Sequence, residues 1–395
     1  MRRKGGTGRP GARAAAAAAA VLAALLAAVG LPSRGAAARA PFAPAPSGAT
    51  VAPKGSSSSA VATTPYRLAY VTSSEAHPFP IVWSSRADGS EPEQLGPGDG
   101  PLLSPDGSMV AAGLFGAEGD TENGPSLAIY STAGAAALKL GSLARASALP
   151  LAWSPDSRYL AVYLQSTAVR NVARHSGLAI LDTRTGSLRT VASGIVYGAS
   201  FAADGSDRVV FARAGSQLLS AAVNLYTVSP GGAGLRRITS DGRSLFPIWD
   251  PARPGYIAYD SERLRAGDAP VYQIWLRSLH GGRPRRLTSV RVRSLVSGLM
   301  PLAFSRSGSR LLAEFVGQDT SEAWTVRVPS GRARAVRVNG RQAVGGGISS
   351  DGSRLLVDEG VIEGPATGDD VLSVPFGGGA PTLLVAHAAQ ASWNE

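Results

Sequence analysis

The 395 residues include 39 Lys and Arg against 28 Asp and Glu, a net charge of +11 that invites a nucleic-acid or membrane-surface reading. Its placement removes that reading: residues 1–64 hold eight of the basic residues (Arg2, Arg3, Lys4, Arg9, Arg13, Arg34, Arg39 and Lys54) and no acid. This leaves 31 basic against 28 acidic residues in 65–395, a net of only +3. Apolar residues make up 44%, enough for a buried core, and the absence of cysteine excludes disulfides, thiolate sites and attachment of lipid through an N-terminal cysteine.

In chain order the first element is a leader, residues 1–40. A basic stretch, MRRKGGTGRPGAR, precedes an apolar run from Ala14 to Leu31, and small residues follow around Ala36–Ala38 and Ala38–Ala40. The layout is that of a signal peptide or an N-terminal membrane anchor, and either form places the rest of the chain on the outer side of the membrane. Residues 41–64 (PFAPAPSGATVAPKGSSSSAVATT) lack apolar periodicity and read as a Pro-, Ala- and Ser-rich linker.

From residue 65 onward one phrase recurs: an apolar or aromatic residue, a turn around Ser-Pro-Asp-Gly, then a short apolar strand. It occurs at Leu103 (LSPDGSMVAA), Trp153 (WSPDSRYLAV), Phe201 (FAADG), Trp249 (WDP), Phe304 (FSRSGSRLLA) and Ile348 (ISSDGSRLLV). Between these anchors lie further alternating strands, such as those at Leu127, Leu178, Leu225, Ile274, Trp324 and Val371, and an Arg-bearing strand such as LRRIT or PRRLT. Four short strands in about 45–50 residues make one propeller blade. The first unit, from Arg67, lacks an anchor strand, and the last residues, Ala391–Glu395, are an anchor strand around Trp393 with nothing after it. The expected fold is therefore all-β: a seven-bladed β-propeller over 65–395, closed by pairing of N- and C-terminal strands in one blade.

The Leu-Ser-Pro-Asp-Gly and Trp-Ser-Pro-Asp-Ser, Leu-Ala and Arg-Arg-Leu-Thr phrases resemble the WD-type propeller repeats of the TolB family over residues 65–395. The resemblance implies architecture and says little about activity. It also departs from that family: TolB carries an α/β domain before a six-bladed propeller, whereas a low-complexity linker precedes seven expected blades here. Similar repeats form the propeller of prolyl oligopeptidases, whose Gly-x-Ser-x-Gly hydrolase motif is absent from this sequence.

The repeat predicts two unlike ends. Short turns gather at one end, and the long connections between second and third strands (73–79, 114–124, 165–176, 213–223, 260–270, 316–322 and 359–369) gather at the other. Candidate ligand-binding residues on them are His77, Asp120, Glu122, Arg170, Arg174, His175, Arg263, Asp268 and Asp369. Asp156 and Asp351, like Asp106 and Asp204, belong to the repeated turn and read as structural, and Trp153, Phe201, Trp249, Phe304 and Trp393 read as packing residues of the repeat. Gly119–Gly124 has some spacing of a calcium loop without the full ligand series, and His77, His175, His280 and His387 are far apart in sequence, so no metal or cofactor is expected. Arg285–Arg286, Arg291–Arg293 and Arg332–Arg337 read as a solvated edge where alternation turns every other Arg outward.

No nucleophile motif or convergent histidine–carboxylate set is visible. The expected function is a non-catalytic binding or scaffolding module outside the cytoplasm, most simply a monomer, contacting a protein or a cell-wall polymer and not nucleic acid. A membrane is expected only through an N-terminal anchor. The alternatives are a metal-dependent lyase or lactonase-type hydrolase, and a ligand-sensing domain on an anchor.

Overall fold

The computed structural model describes residues 66–73, 80–114, 127–134, 138–140, 146–166, 172–216, 221–261, 271–290, 297–317, 321–359 and 369–394. The leader and linker lie outside them. Regular structure is almost entirely β; the helix α1 (Val172–His175) is a single turn.

The strands form antiparallel four-stranded meanders. Five are separate sheets, an eight-stranded sheet divides into two more, joined by a parallel bridge of Val271 with Ser297 and Tyr272 with Gly298, and a two-stranded ribbon pairs Arg337–Val338 with Arg341–Gln342. Each unit runs from an anchor strand through a second, third and fourth strand. In chain order the anchors are Asp99–Leu103, Ala146–Trp153, Ile195–Phe201, Ser244–Trp249, Ser297–Phe304, Val344–Ile348 and Ala389–Trp393, and they number the units first to seventh. The seventh anchor pairs with Arg67–Thr72, placing Leu68 opposite Trp393, and the Arg67 N–H donates to Asn394 Oδ1 at 2.7 Å.

Apolar side chains fill the spaces between consecutive units. Leu127 and Ile129 of the first meet Trp153, Leu160 and Leu181 of the second, and Ile274 and Leu276 of the fourth meet Leu311 and Phe315 of the fifth. Ala69, Val71 and Val82 of the seventh pack on Val110 and Tyr130 of the first. Fully buried alanines (Ala69, Ala111, Ala161, Ala258, Ala313) recur along the second strands, where small side chains let neighbouring sheets approach.

Turns between anchor and second strands are built alike. The Ser104 hydroxyl donates to Asp106 Oδ1 at 2.7 Å, which also accepts from the Ser108 N–H at 3.0 Å. Asp156 accepts from Ser154 Oγ and the Arg158 N–H, and Asp351 from Ser349 Oγ and the Ser353 N–H. Hydrogen bonds from Ser154 hold the Asp156 carboxyl below its usual range, and those from Ser353 and Ser349 do the same for Asp351. The turns also bind neighbouring units: the Asp106 N–H donates to Ser157 Oγ at 3.0 Å, and the Trp153 indole N–H to the Leu102 carbonyl at 2.9 Å. Trp153, Phe201 and Trp249 are buried, while Phe304 and Trp393 are half-buried.

One sequence expectation is corrected. Arg285 and Arg286 are both exposed, because the fourth strand there is two residues long and its outer edge is open, so no alternation sorts them. Arg332 is exposed, and Arg337 is ion-paired to the buried Glu322; Arg291 and Arg293 lie outside the described residues.

The Asp106 turn gives a stability prediction. Asp106→Ala strands the buried Ser104 hydroxyl and should lower the unfolding free energy by about 1–3 kcal/mol in urea titration, with the denaturant slope unchanged.

Candidate functional site

Every anchor strand has one residue more than the second strand it pairs with, so each carries a bulge. It lies around the residue three before the terminal apolar one: Gly100, Pro150, Gly198, Phe246, Pro301, Gly345 or Gln390. Four of these have positive φ: Gly100 at 57°, Gly198 at 80°, Phe246 at 43° and Gln390 at 54°. For glycine this is easy; for Phe246 and Gln390 it is strained, and surrounding contacts must hold it.

Against these bulges the second strands present acids. Ile257, Leu311 and Leu355 pair with the terminal residues of their anchors, and three residues beyond each stand Asp260, Glu314 and Asp358. Equivalent positions in the fourth, fifth and sixth units thus carry buried carboxyl groups, all toward the end where the long connections emerge. Glu314 Oε2 accepts the Gly345 N–H of the next unit's bulge at 3.1 Å, and Ser321 Oγ donates to its other oxygen. Asp358 Oδ2 accepts the Gln390 N–H of the following bulge at 2.6 Å. The bulge facing Asp260 has Pro301 at the matching place, and proline has no N–H to give. Asp260 is 3% exposed, and its Oδ1 has no hydrogen-bond partner.

Gln390 extends the chain of contacts. Its Oε1 accepts the Gly100 N–H at 2.8 Å, and its side chain bonds Asp99 at the start of the first anchor. Burial pushes Asp99 up to about 6, Glu314 and Asp358 to about 7 and Asp260 to about 8. The hydrogen bonds from Gly345 and Gln390 oppose that rise without cancelling it.

Among the candidates read from sequence, Arg174 and His175 are exposed on α1 in the second unit. Asp369 is half-buried before the third strand of the sixth unit, its carbonyl accepting the Ala388 N–H at 2.9 Å. Burial, then the neighbouring Asp370, raises the Asp369 carboxyl. These residues belong to units far apart in the chain. His77, Asp120, Glu122, Arg170, Arg263 and Asp268 lie outside the described residues. Sequence reasoning missed Asp99, Asp260, Glu314 and Asp358. The signal was present: an acid interrupts an otherwise apolar strand at the same register in three successive repeats.

The fold has known counterparts. TolB from Acinetobacter baumannii is similar at 16% identity with a TM-score of 0.50, over 83% of this chain and 66% of that one. A puromycin-hydrolyzing peptidase of Mycobacterium tuberculosis is similar at 15% identity with a TM-score of 0.55, over 83% of this chain and 55% of that one. The architecture is that of a β-propeller. An oligogalacturonate lyase in complex with manganese is similar too, at 15% identity and a TM-score of 0.50, over 72% of this chain and 76% of that one. The chain thus spans just under two thirds of TolB and about half of the peptidase. No protein-family model and no curated protein matches the sequence. At these identities the likeness carries the fold and no activity.

The raised carboxyls predict a pH dependence. A group whose folded pKa lies above its unfolded value stabilises fully below the unfolded value, and that contribution is lost as pH rises through the folded one. The melting temperature should fall between about pH 4 and pH 8, and Asp260→Asn should flatten the upper part of that fall. Calorimetry across this range checks both.

Proposed function

We propose that residues 65–395 form a closed seven-bladed propeller that acts as a non-catalytic binding module outside the cytoplasm, following a leader (1–40) and a linker (41–64). Its partner, a protein or a cell-envelope polymer, docks at the end bearing the long connections. The observation that carries this reading is the difference between the two ends. At one, repeated Ser–Asp turns satisfy their own polar groups and bond to adjacent units. At the other, buried carboxyls stand at equivalent positions in three successive units, at the strand ends from which connections of unlike sequence leave, and Asp260 Oδ1 has no partner. A rigid scaffold with variable connections at one end is the usual arrangement for recognition. Closure is supported by the pairing of Arg67–Thr72 with Ala389–Trp393 and by the apolar packing of seventh unit on first.

The test is photo-crosslinking in cells that express the chain. A benzophenone side chain at Arg174, on the long-connection side, should give a discrete adduct, whereas one at Arg184, in an exposed turn of the other end, should not. Adducts from position 184 alone would place the docking end wrongly. Melting with EDTA, calcium, manganese or zinc separates the binding module from the metal-dependent enzyme. A metal held only by the folded state at about 100 times its Kd adds roughly 2.7 kcal/mol, and a rise of that kind reversed by EDTA would overturn the non-catalytic reading.

A further inference from the structure

The fourth and fifth units meet in a small cleft lined by Phe246, Asp260 and Tyr272 on one side and Gly298, Met300 and Val316 on the other. Its volume is about 10 Å³, room for one water-sized group. Everything lining it is apolar or aromatic except the Tyr272 hydroxyl and the Asp260 carboxyl, whose buried Oδ1 is unpartnered. In the next two units the matching carboxyl accepts a bulge N–H, from Gly345 or Gln390, although Asp358 Oδ1 is itself left without a partner. Here Pro301 supplies none, and the vacant acceptor of this carboxyl lies on the cleft.

We propose that this cleft is a subsite for a primary ammonium group, such as a lysine side chain or amine terminus of the partner, hydrogen-bonded to Asp260 Oδ1. The inference deepens the reading of this end as the docking end and rests on it. Three features select that chemistry. An ammonium head is close to water in size, so it fits where a guanidinium or a carboxylate would not. It brings the donors that the vacant oxygen lacks, and its charge favours the ionised carboxyl that burial disfavours. Walls built from Phe246, Tyr272 and Met300 suit a cation better than an anion.

Methionine provides the probe, because the sequence contains only Met1, Met109 and Met300. Met300 lines the cleft, and Met109 lies in the first unit. The full chain labelled with 13C at the methionine methyl groups is titrated with n-butylammonium chloride, with sodium chloride and n-butanol as controls. The Met300 signal should move saturably with the amine and not with either control, while Met109 stays in place. Asp260→Asn should abolish the response. Pro301→Ala, which restores an N–H at the place occupied by Gly345 in the next unit, should weaken the response about fivefold, the worth of about one net hydrogen bond. An Asp260→Asn protein that melts cooperatively and titrates like the parent overturns the proposal. So does a Met300 signal that moves equally with butanol, or one that does not move at all. Failure here with a crosslink at position 174 intact removes the ammonium subsite and leaves the docking end standing; loss of the crosslink with the titration intact does the reverse.

Discussion

A four-stranded sheet hydrogen-bonds most of its backbone within itself and leaves two edges, so consecutive sheets must be held mainly by contacts of another kind. Here the polar ones fall both at the repeated turns and where the anchor strand carries its extra residue. The bulge turns a backbone N–H out of its own ladder and toward the preceding unit, and a side chain from that unit accepts it. Glu314 does so for Gly345, and Asp358 for Gln390. Between the seventh and first units the polarity is inverted in origin but not in effect: Gln390, itself a bulge residue, accepts the Gly100 N–H. Apolar packing supplies most of the attraction between sheets, yet it is nearly indifferent to a small slip. The bulge bonds fix how far one unit sits along the next.

That arrangement accounts for a cost the molecule carries at this end. A carboxyl group that accepts only about two hydrogen bonds in a buried place is not well enough bonded to stay ionised without penalty, so burial dominates and the group titrates high. The turns at the opposite end show the contrast. Asp156 and Asp351 lie near the surface and accept several donors each, and they titrate low. The same residue type thus plays opposite electrostatic parts at the two ends of one repeat, decided by solvent and by the number of donors within reach. Strain is distributed unevenly as well. Gln390 holds positive φ while its N–H and side chain are tied to the units on either side, and Phe246 holds it with its ring against the edge of Tyr197, centroids 6.5 Å apart.

Much of the fold was legible because the repeat writes it several times. Ser-Pro-Asp-Gly demands a tight turn, the apolar strand after it has one pairing that buries it, and recurrence at similar spacing leaves little beyond a propeller. The site was less legible. Surface charges on long connections drew attention, since connections are where function commonly lies, and most of those residues fall outside the described structure. The acids that the structure brings into prominence stand within strands that read as core. Leu-Leu-Ala-Glu314 and Leu-Leu-Val-Asp358 look like ordinary strand ends until the bulge opposite them is known. A bulge is a property of pairing between two strands, and one strand's sequence does not display it.

The proline at 301 shows how a repeat acquires a site without acquiring a motif. Evenly built units would bond every acid at this position to the next bulge, and successive sheets would present a uniform wall. Replacing one N–H by a proline nitrogen removes a single donor and leaves the adjoining strand pairing intact, with Pro301 still opposite Ala313. The acid opposite is then buried without a bulge N–H to accept. Symmetry supplies the position and the burial, and a local departure from symmetry takes away the bulge donor. Recognition in such a scaffold is therefore best sought where the repeat is broken on the inner side of a unit, because a vacancy there is framed by neighbours that remain in register.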